Sequence, residues 1–216
     1  MIKASNIHKY YGNLHVLRGV DVAIRRGEVV AVVGKSGAGK TTLLHILGTL
    51  DQADEGSVSY DEMEIIGLSD KLLSDFRNEH IGFIFQFHHL LDEFSALENV
   101  CIPAFLAGKS KAPTVEKAKE LLTYLGLQDR LDHRPNELSG GEQQRVAIAR
   151  SLINDPDVIL ADEPTGNLDT QTSDEIHQLI FDLREKFNQT FVIVTHNEEL
   201  AEKCDRTLSM ADGKIL

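Results

Sequence analysis

Gly34-Lys35-Ser36-Gly37-Ala38-Gly39-Lys40-Thr41-Thr42 fills the glycine-rich pattern of a phosphate-binding loop. In such a loop the glycines let successive backbone N–H groups curl around an anion, and the dipole of the following helix adds positive potential. A short apolar, β-branched run (28–33) precedes the loop, and an apolar helical stripe (43–47) follows it. We therefore predict a nucleotide-binding loop, with Lys40 on the β- and γ-phosphates and the Thr41 hydroxyl on Mg²⁺. A plain glycine turn would need neither side chain.

The composition is that of an acidic globular protein. The chain has 216 residues, of which 42% are hydrophobic, and its 22 Lys and Arg against 34 Asp and Glu give a formal net charge of −12. This balance disfavours nucleic-acid binding, which needs basic surface to displace counterions. Cys101 and Cys204 match no metal-ligand spacing and fit a reduced, cytoplasmic compartment. No apolar run approaches the roughly 20 residues of a membrane span, so we expect no membrane crossing by this chain.

The remaining apolar patterns place strands on both sides of a helical middle. Strand-like patterns occupy about 1–33, 58–66, 81–85, 158–161 and 191–194, and helical patterns occupy about 95–151 and the region around 176–187. For the last helix, Thr172 and Glu175 have the spacing of a capping box. This order predicts an α/β fold with a parallel-sheet core and a helical insertion between its first and later strands.

Leu138-Ser139-Gly140-Gly141-Glu142 predicts a second phosphate-binding helix end. Ser139 suits the N-cap, and Glu142 completes a capping box three residues later. A well-capped helix start is the simpler interpretation. However, the two glycines cost roughly 1 kcal/mol each relative to Ala in a helix interior, so something other than helix stability must favour them. Bare glycines expose N–H groups to an approaching anion.

Polar side chains follow three of the predicted strands. Asp162 and Glu163 end the run 158–161, at the edge where α/β sheets bind their ligands. A solvated acidic turn would explain them alone, but the phosphate-binding loop makes an Mg²⁺-binding and catalytic pair the better interpretation. Gln86 follows the strand 81–85, and His196 follows the strand 191–194. Each of these two is weak as a single observation.

Taken together, these motifs resemble the ATP-binding-cassette (ABC) ATPases in order and spacing over essentially the whole chain. The resemblance implies that Glu163 polarises the attacking water, that His196 binds the γ-phosphate, and that Gln86 contacts Mg²⁺ or water beside the Mg²⁺-binding Asp162. It makes Asn167-Leu168-Asp169 a loop that crosses a dimer interface. Tyr11 resembles the aromatic residue that stacks on adenine, although an aromatic before Gly12 could also simply pack. In this family the Ser139–Glu142 helix closes over ATP held by the partner subunit, which implies a head-to-tail homodimer.

The same resemblance implies a P-loop NTPase fold of the ABC type. Its parts are a parallel-sheet core, an N-terminal antiparallel β subdomain and an inserted helical subdomain. We expect a single domain over 1–216, with the core and β subdomain at about 1–90 and 157–216 and the helical signature subdomain at about 91–156.

Three segments, 85–100, 133–142 and 161–169, resemble cassettes of bacterial lipoprotein-releasing systems, with the departure that Asp92 replaces a common proline. The resemblance implies a peripheral protein on the cytoplasmic face of the inner membrane, bound to integral membrane permease subunits that alone contact the lipoprotein cargo. MacB-like efflux cassettes and FtsE-like cell-division clamps share the general pattern and stay as alternatives. DNA-repair ABC ATPases are disfavoured, because no heptad run separates Lys40 from Ser139.

Overall fold

The chain forms ten strands and seven α-helices, and the computed structural model describes all residues from 1 to 216. The strands are β1 (Ile2–Tyr11), β2 (Leu14–Ile24), β3 (Val29–Val33), β4 (Glu55–Tyr60), β5 (Met63–Glu64), β6 (Ile81–Phe85), β7 (Val158–Asp162), β8 (Thr190–Val194), β9 (Arg206–Ala211) and β10 (Lys214–Ile215). The helices are α1 (Lys40–Leu47), α2 (Asp70–His80), α3 (Ala96–Leu106), α4 (Lys111–Tyr124), α5 (Gly140–Leu152), α6 (Thr170–Phe187) and α7 (Glu198–Lys203).

The central sheet has six strands in the order β10-β9-β3-β8-β7-β6. Every neighbouring pair is parallel except β10 with β9. The predicted parallel-sheet α/β core is therefore confirmed. Because parallel strands end at one edge, the segments that follow β3, β6, β7 and β8 meet there.

The strands of this core are apolar throughout because both of their faces are buried. In β7, Val158 and Leu160 pack into a hydrophobic cluster with α1 and the N-terminal strands. Ile159 and Ala161 point to the opposite face and pack with α3, α4, α5 and α6. An alternating pattern would have left one face of this sheet to solvent, so the unbroken apolar run encodes the two-sided burial.

The N-terminal strands form a separate antiparallel sheet of order β2-β1-β4-β5, as the family resemblance implied. Gly12 lies in the turn between β1 and β2 with φ of 59°, a backbone conformation that glycine adopts without strain. Buried side chains from β1 and β2 join those of α1 in one cluster. This contact fixes the β1–β2 hairpin beside the phosphate-binding loop.

Helices α3, α4 and α5, which lie between β6 and β7 in the chain, pack on one another. The predicted capping box of α5 is confirmed, since the Ser139 hydroxyl accepts from the Glu142 N–H at 3.2 Å and the Glu142 carboxylate accepts from the Ser139 N–H at 2.8 Å. None of the helices has the length and apolar character of a membrane span.

The capping box predicted at Thr172 and Glu175 is wrong. Helix α6 begins three residues earlier than that pattern implied, with Asp169 as its N-cap. The Asp169 carboxylate accepts from the Thr172 N–H at 3.0 Å and from the Thr172 hydroxyl at 2.6 Å. Glu175 instead forms an ion pair with Arg145 of α5 at 2.8 Å. Asp169 takes the cap because its short carboxylate reaches the N–H three residues on.

Candidate active site

The phosphate-binding loop joins β3 to α1 in a conformation that requires glycine. Gly34 and Gly39 have φ of 151° and 99°, outside the range that other residues favour. A Cβ atom on Gly34 would lie 2.2 Å from the carbonyl oxygen of Met210, and one on Gly39 would lie 2.8 Å from Leu17. The backbone can curl back on itself here only because these side chains are missing.

A cleft of about 350 Å³ opens over this loop. It is lined by Leu14, Val16, Ser36, Gly37, Gly39, Lys40, Thr41, Thr42, Gln86, Asp162, Glu163, Val194 and His196. The structure thus gathers the predicted catalytic residues, which come from four separate segments of the chain, around one cavity. Of the other predicted loop residues, Gly34 and Lys35 line an adjoining cleft with His196, and Ala38 is buried.

Lys40 supplies a buried positive charge to the cleft. Its side chain is 6% exposed, and its ammonium donates to the carbonyl oxygens of Gly34 at 2.8 Å and Lys35 at 3.2 Å. No carboxylate neutralises this ammonium. A largely buried cation held by neutral carbonyls is strongly attracted to a phosphate, since burial weakens the screening of its charge by solvent.

The residues predicted to hold Mg²⁺ also lie together. The Thr41 hydroxyl donates to a carboxylate oxygen of Asp162 at 3.2 Å, and Gln86 lines the same cleft. The Gln86 amide nitrogen donates to the side-chain oxygen of Asn167 at 3.0 Å, and the Asn167 amide donates to the backbone oxygen of Gln86 at 3.1 Å. The amide oxygen of Gln86 receives no hydrogen bond. Hydroxyl, carboxylate and amide oxygens are the hard donors that suit Mg²⁺.

Glu163 follows β7 in a left-handed conformation with φ of 47°, which is uncommon for a residue with a side chain. Its N–H donates to the Val194 carbonyl at 2.9 Å, which ties it to the end of β8. One carboxylate oxygen accepts from the His196 N–H at 3.3 Å. The other carboxylate oxygen is buried and has no hydrogen-bond partner within the protein, although His196 Nε2 lies 3.1 Å from it.

Burial raises the pKa of the Glu163 carboxyl above its ordinary value, and the neighbouring charge of Asp162 raises it further. His196 and the ammonium of Lys40 partly oppose that rise. A carboxylate with a raised pKa is a stronger base, and its unsatisfied oxygen is free to accept a hydrogen bond from water. The geometry at the end of β7 therefore suits activation of a water molecule.

This pKa shift predicts that Glu163→Gln stabilises the folded protein. Because the folded-state pKa is raised, ionisation of Glu163 lowers the free energy of unfolding at every pH above the unfolded-state value of about 4.3. We expect the variant to unfold at a higher urea concentration than the wild type at pH 7. The difference should shrink as the pH falls toward 4.

Glu142→Gln is the control of opposite sign. The pKa of Glu142 is lowered, first by the hydrogen bond from the Ser139 backbone N–H and also by Arg130, so its charge stabilises the fold above the unfolded-state pKa. This variant should be less stable than the wild type at pH 7, with a loss that fades in acid. Equal urea midpoints for Glu163→Gln and wild type at pH 7 would contradict the prediction that ionised, buried Glu163 lowers the free energy of unfolding.

The predicted signature residues line a second cleft of about 450 Å³ at the start of α5. It is formed by Ser139, Gly140, Gly141, Glu142, Arg145, Asn167, Leu168, Asp169, Thr172 and Glu175, none of which lines the first cleft. A Cβ atom on Gly141 would lie 2.5 Å from the methyl group of Thr172. Close approach of α6 is therefore one physical reason for a glycine here, beside the exposure of N–H groups. Asp169 lines this cleft as well, and its carboxylate is occupied there by the two hydrogen bonds from Thr172 that cap α6.

Tyr11 lies at the end of β1 and lines neither cleft. Its cross-strand partner Leu14 lines the first cleft. Tyr11 itself is 49% exposed. The Tyr11 hydroxyl donates to Asp51 at 2.5 Å. Sequence reasoning missed Asp51, because nothing in its local pattern distinguishes it from a residue of an ordinary polar turn.

The fold and its two clefts define a P-loop nucleotide-binding cassette. A family model described as "ABC transporter" matches residues 17–166 of the chain. The chain belongs to the ABC transporter ATP-binding family, and it is an ATP-binding protein with ATPase activity. The family predicted from the motifs is confirmed.

The chain is also similar over its full length to curated relatives. It is 58% identical over 216 residues to the lipoprotein-releasing system ATP-binding protein LolD of Cytophaga hutchinsonii, covering 100% of this chain and 99% of the relative. It is 59% identical over 215 residues to the LolD protein of Bacteroides thetaiotaomicron, with coverage of 100% and 99%. The predicted similarity to lipoprotein-releasing cassettes is therefore confirmed.

Solved ABC cassettes share the fold. The dimeric structure of MJ0796, a bacterial ABC transporter cassette, is 41% identical with a TM-score of 0.91, over 100% of this chain and 96% of that one. A dimeric post-hydrolysis state of MJ0796 bound to ADP and Pi is 39% identical with a TM-score of 0.90 and the same coverage. The predicted ABC-type fold is confirmed.

Proposed function

We propose that this protein is the ATP-hydrolysing subunit of a bacterial inner-membrane transporter that releases lipoproteins toward the outer membrane. The observation that carries the proposal is the 56% to 59% identity, over the whole chain, to four proteins that bear this function in their names. The gathered catalytic residues support it, since a transport motor needs an intact hydrolytic site.

The first cleft has a residue for each need of phosphoryl transfer. The loop N–H groups and Lys40 bind the β- and γ-phosphates, and His196 contacts the γ-phosphate. Thr41, Asp162 and Gln86 would hold Mg²⁺, which when bound neutralises charge on the phosphate oxygens. Glu163 accepts a hydrogen bond from the attacking water and orients it. The Tyr11 ring stacks on the adenine.

We further propose that two chains act as a head-to-tail homodimer. The two clefts of one chain share no lining residue, although both carry phosphate-binding features. Closure over ATP bound at one P-loop would therefore use the signature residues of the other copy, namely the partner's Ser139. The N–H groups at the start of α5 would then add their positive potential to the γ-phosphate.

The membrane subunits, of the LolC/LolE type, are proposed to dock on an apolar surface beside Gln86. This docking surface consists of Phe87, Leu91, Phe94 and Leu106, all exposed, and Leu106 is 78% exposed. Leu106 also lines a groove of about 600 Å³ formed by residues of α2, β6, α3 and α5. Docking here would place the protein peripherally on the cytoplasmic face of the inner membrane. It would also couple movement of the membrane subunits to Gln86, which immediately precedes Phe87 of the docking surface.

The experiment is co-expression with the LolC/LolE-type membrane subunits of the same bacterium. We expect a complex that co-purifies with lipoproteins and releases them from proteoliposomes when ATP is added. Leu106→Glu should prevent assembly but leave the ATPase activity of the isolated subunit unchanged, because a charge there opposes burial. Met63→Glu on β5, where the wild-type side chain is 51% exposed, is the matched control and should assemble normally.

Two different results would contradict two separate parts of the proposal, the cargo and the docking surface. A complex that assembles and hydrolyses ATP but neither carries nor releases lipoproteins would reject the cargo, and would favour an efflux or cell-division role. Normal assembly of Leu106→Glu would reject the docking surface while leaving the cargo untouched.

A further inference from the structure

A cluster of three polar side chains connects the end of β1 to the turn after α1. Asp51 accepts from the Tyr11 hydroxyl at 2.5 Å through one carboxylate oxygen and from the Lys9 ammonium at 2.7 Å through the other. Lys9 also donates to the carbonyl oxygen of Gln52 at 2.6 Å. Lys9 and Tyr11 lie 42 and 40 residues before Asp51, on the other side of the phosphate-binding loop, so the fold itself builds the cluster.

The hydroxyl of Tyr11 donates to an ionised acceptor, the carboxylate of Asp51. Burial alone would raise the pKa of Asp51, but the hydrogen bonds from Lys9 and Tyr11 outweigh it and leave the pKa below its ordinary value. Lys9 is buried, and its ammonium lies 5.2 Å from the centre of the Tyr11 ring. A hydrogen bond to a charged acceptor is stronger than one between neutral groups. The Tyr11 ring is thus fixed at its hydroxyl end and supported by a cation.

The position of the ring relates this cluster to nucleotide binding. Tyr11 pairs with Leu14 across the hairpin, and directly opposite residues of an antiparallel pair present their side chains on the same face. Leu14 lines the first cleft. A half-exposed aromatic ring on that face is available to a planar ligand, and an aromatic ring fixed in advance loses less conformational entropy on binding.

We propose that Asp51, itself held by Lys9, is a positioning residue that fixes the Tyr11 ring for stacking on the base of the bound nucleotide. The inference rests on the adenine-stacking role proposed for Tyr11. It predicts that the cluster contributes to recognition of the base and not to recognition of the phosphates.

The test compares the affinity for ATP with that for inorganic tripolyphosphate, which carries the phosphates without a base. Tyr11→Phe keeps the ring and removes only the hydroxyl, and Asp51→Asn keeps the shape and removes the charge. Each should weaken ATP binding by about three- to tenfold, the usual effect of one lost hydrogen bond, and leave tripolyphosphate binding unchanged. Calorimetric titration gives both affinities.

Two further variants make the outcomes decisive. Tyr10→Phe is the matched control, because the Tyr10 ring stacks on His15 and its hydroxyl has no partner within the protein; it should match the wild type. Tyr11→Ala tests the stacking role itself. If Tyr11→Ala weakens ATP binding while Tyr11→Phe and Asp51→Asn do not, the positioning role is rejected and the stacking role stands.

If Tyr11→Ala has no effect on ATP affinity, the stacking role fails and the inference fails with it. An equal loss of ATP and tripolyphosphate binding in Tyr11→Phe and Asp51→Asn would show a general structural effect, which also overturns the proposal. Selective loss of ATP affinity in both variants, with Tyr10→Phe unaffected, supports it.

Discussion

Glu163→Gln is expected to lower the rate of ATP hydrolysis by about two to four orders of magnitude, the usual contribution of one general base. The amide cannot accept a proton from water, whereas the carboxylate has a buried oxygen that no hydrogen bond within the protein occupies. ATP affinity should be kept, because Lys40 and the loop N–H groups remain. The variant should accumulate as an ATP-bound dimer, which size-exclusion chromatography with ATP and Mg²⁺ detects.

The measurement needs a carboxylate control outside the cleft. Glu116→Gln on the exposed face of α4 removes the same charge and should hydrolyse ATP at the wild-type rate. If Glu163→Gln keeps wild-type turnover, Glu163 does not activate the water. A variant that loses ATP binding as well would assign Glu163 to nucleotide binding instead.

Lys40→Ala is expected to lower kcat/KM for ATP at least about a hundredfold, since removal of one preorganised charged donor typically costs that much. The wild-type ammonium is buried and has only neutral carbonyl partners, so its electrostatic effect on a phosphate is weakly screened. Unlike Glu163→Gln, this variant should bind ATP poorly and should form no ATP-bound dimer. Steady-state kinetics and a nucleotide titration check both results.

Lys40 also holds the loop through its bonds to Gly34 and Lys35, so a folding defect must be excluded. Lys40→Met keeps most of the buried stem and removes the charge, and it should show the same loss of affinity with a near-normal urea midpoint. Lys71→Ala, at an exposed position of α2, is the control for loss of one positive charge. Wild-type kinetics in both Lys40 variants would reject the phosphate-binding role.

Much of the fold was predictable because local and long-range requirements agree. The strand predicted at 81–85 coincides with β6 (Ile81–Phe85), since an unbroken apolar run can be satisfied only by burial on both faces. Helix α2 was missed. Only Leu73 and Phe76 of its residues are buried, so its apolar stripe is too short to show a period. Ser69, whose hydroxyl caps α2, and Asp70 in the first turn were the local signals of its start.

The error at the start of α6 shows what local patterns leave open. Thr172 and Glu175 have the spacing of a capping box. Asp169 and Thr172 have the same spacing, and it is this pair that forms the hydrogen bond at the start of the helix. Whether Asp169 or Thr172 begins the helix depends on where the chain leaves β7 and on how α5 packs against α6. That information lies in contacts between distant segments, such as the ion pair of Arg145 with Glu175.

The catalytic residues were individually predictable from motifs, whereas their connections were not. Each of the four follows a recognisable strand, and a parallel sheet brings such ends together: the residues are Glu163, His196, Gln86 and Lys40. The bond between Gln86 and Asn167 joins residues 81 positions apart. The bond between Tyr11 and Asp51 joins residues 40 positions apart. No periodicity or spacing rule specifies pairs of this kind.

The reciprocal hydrogen bonds of Gln86 and Asn167 have a consequence for communication between the two ATP sites. Each residue donates to the other, so a shift of either segment alone breaks both hydrogen bonds. One segment lies next to the surface assigned to the membrane subunits, and the other borders the second cleft. In the proposed head-to-tail dimer, this pair would therefore link the ATP site that contains Gln86 to the signature cleft that closes over the other ATP.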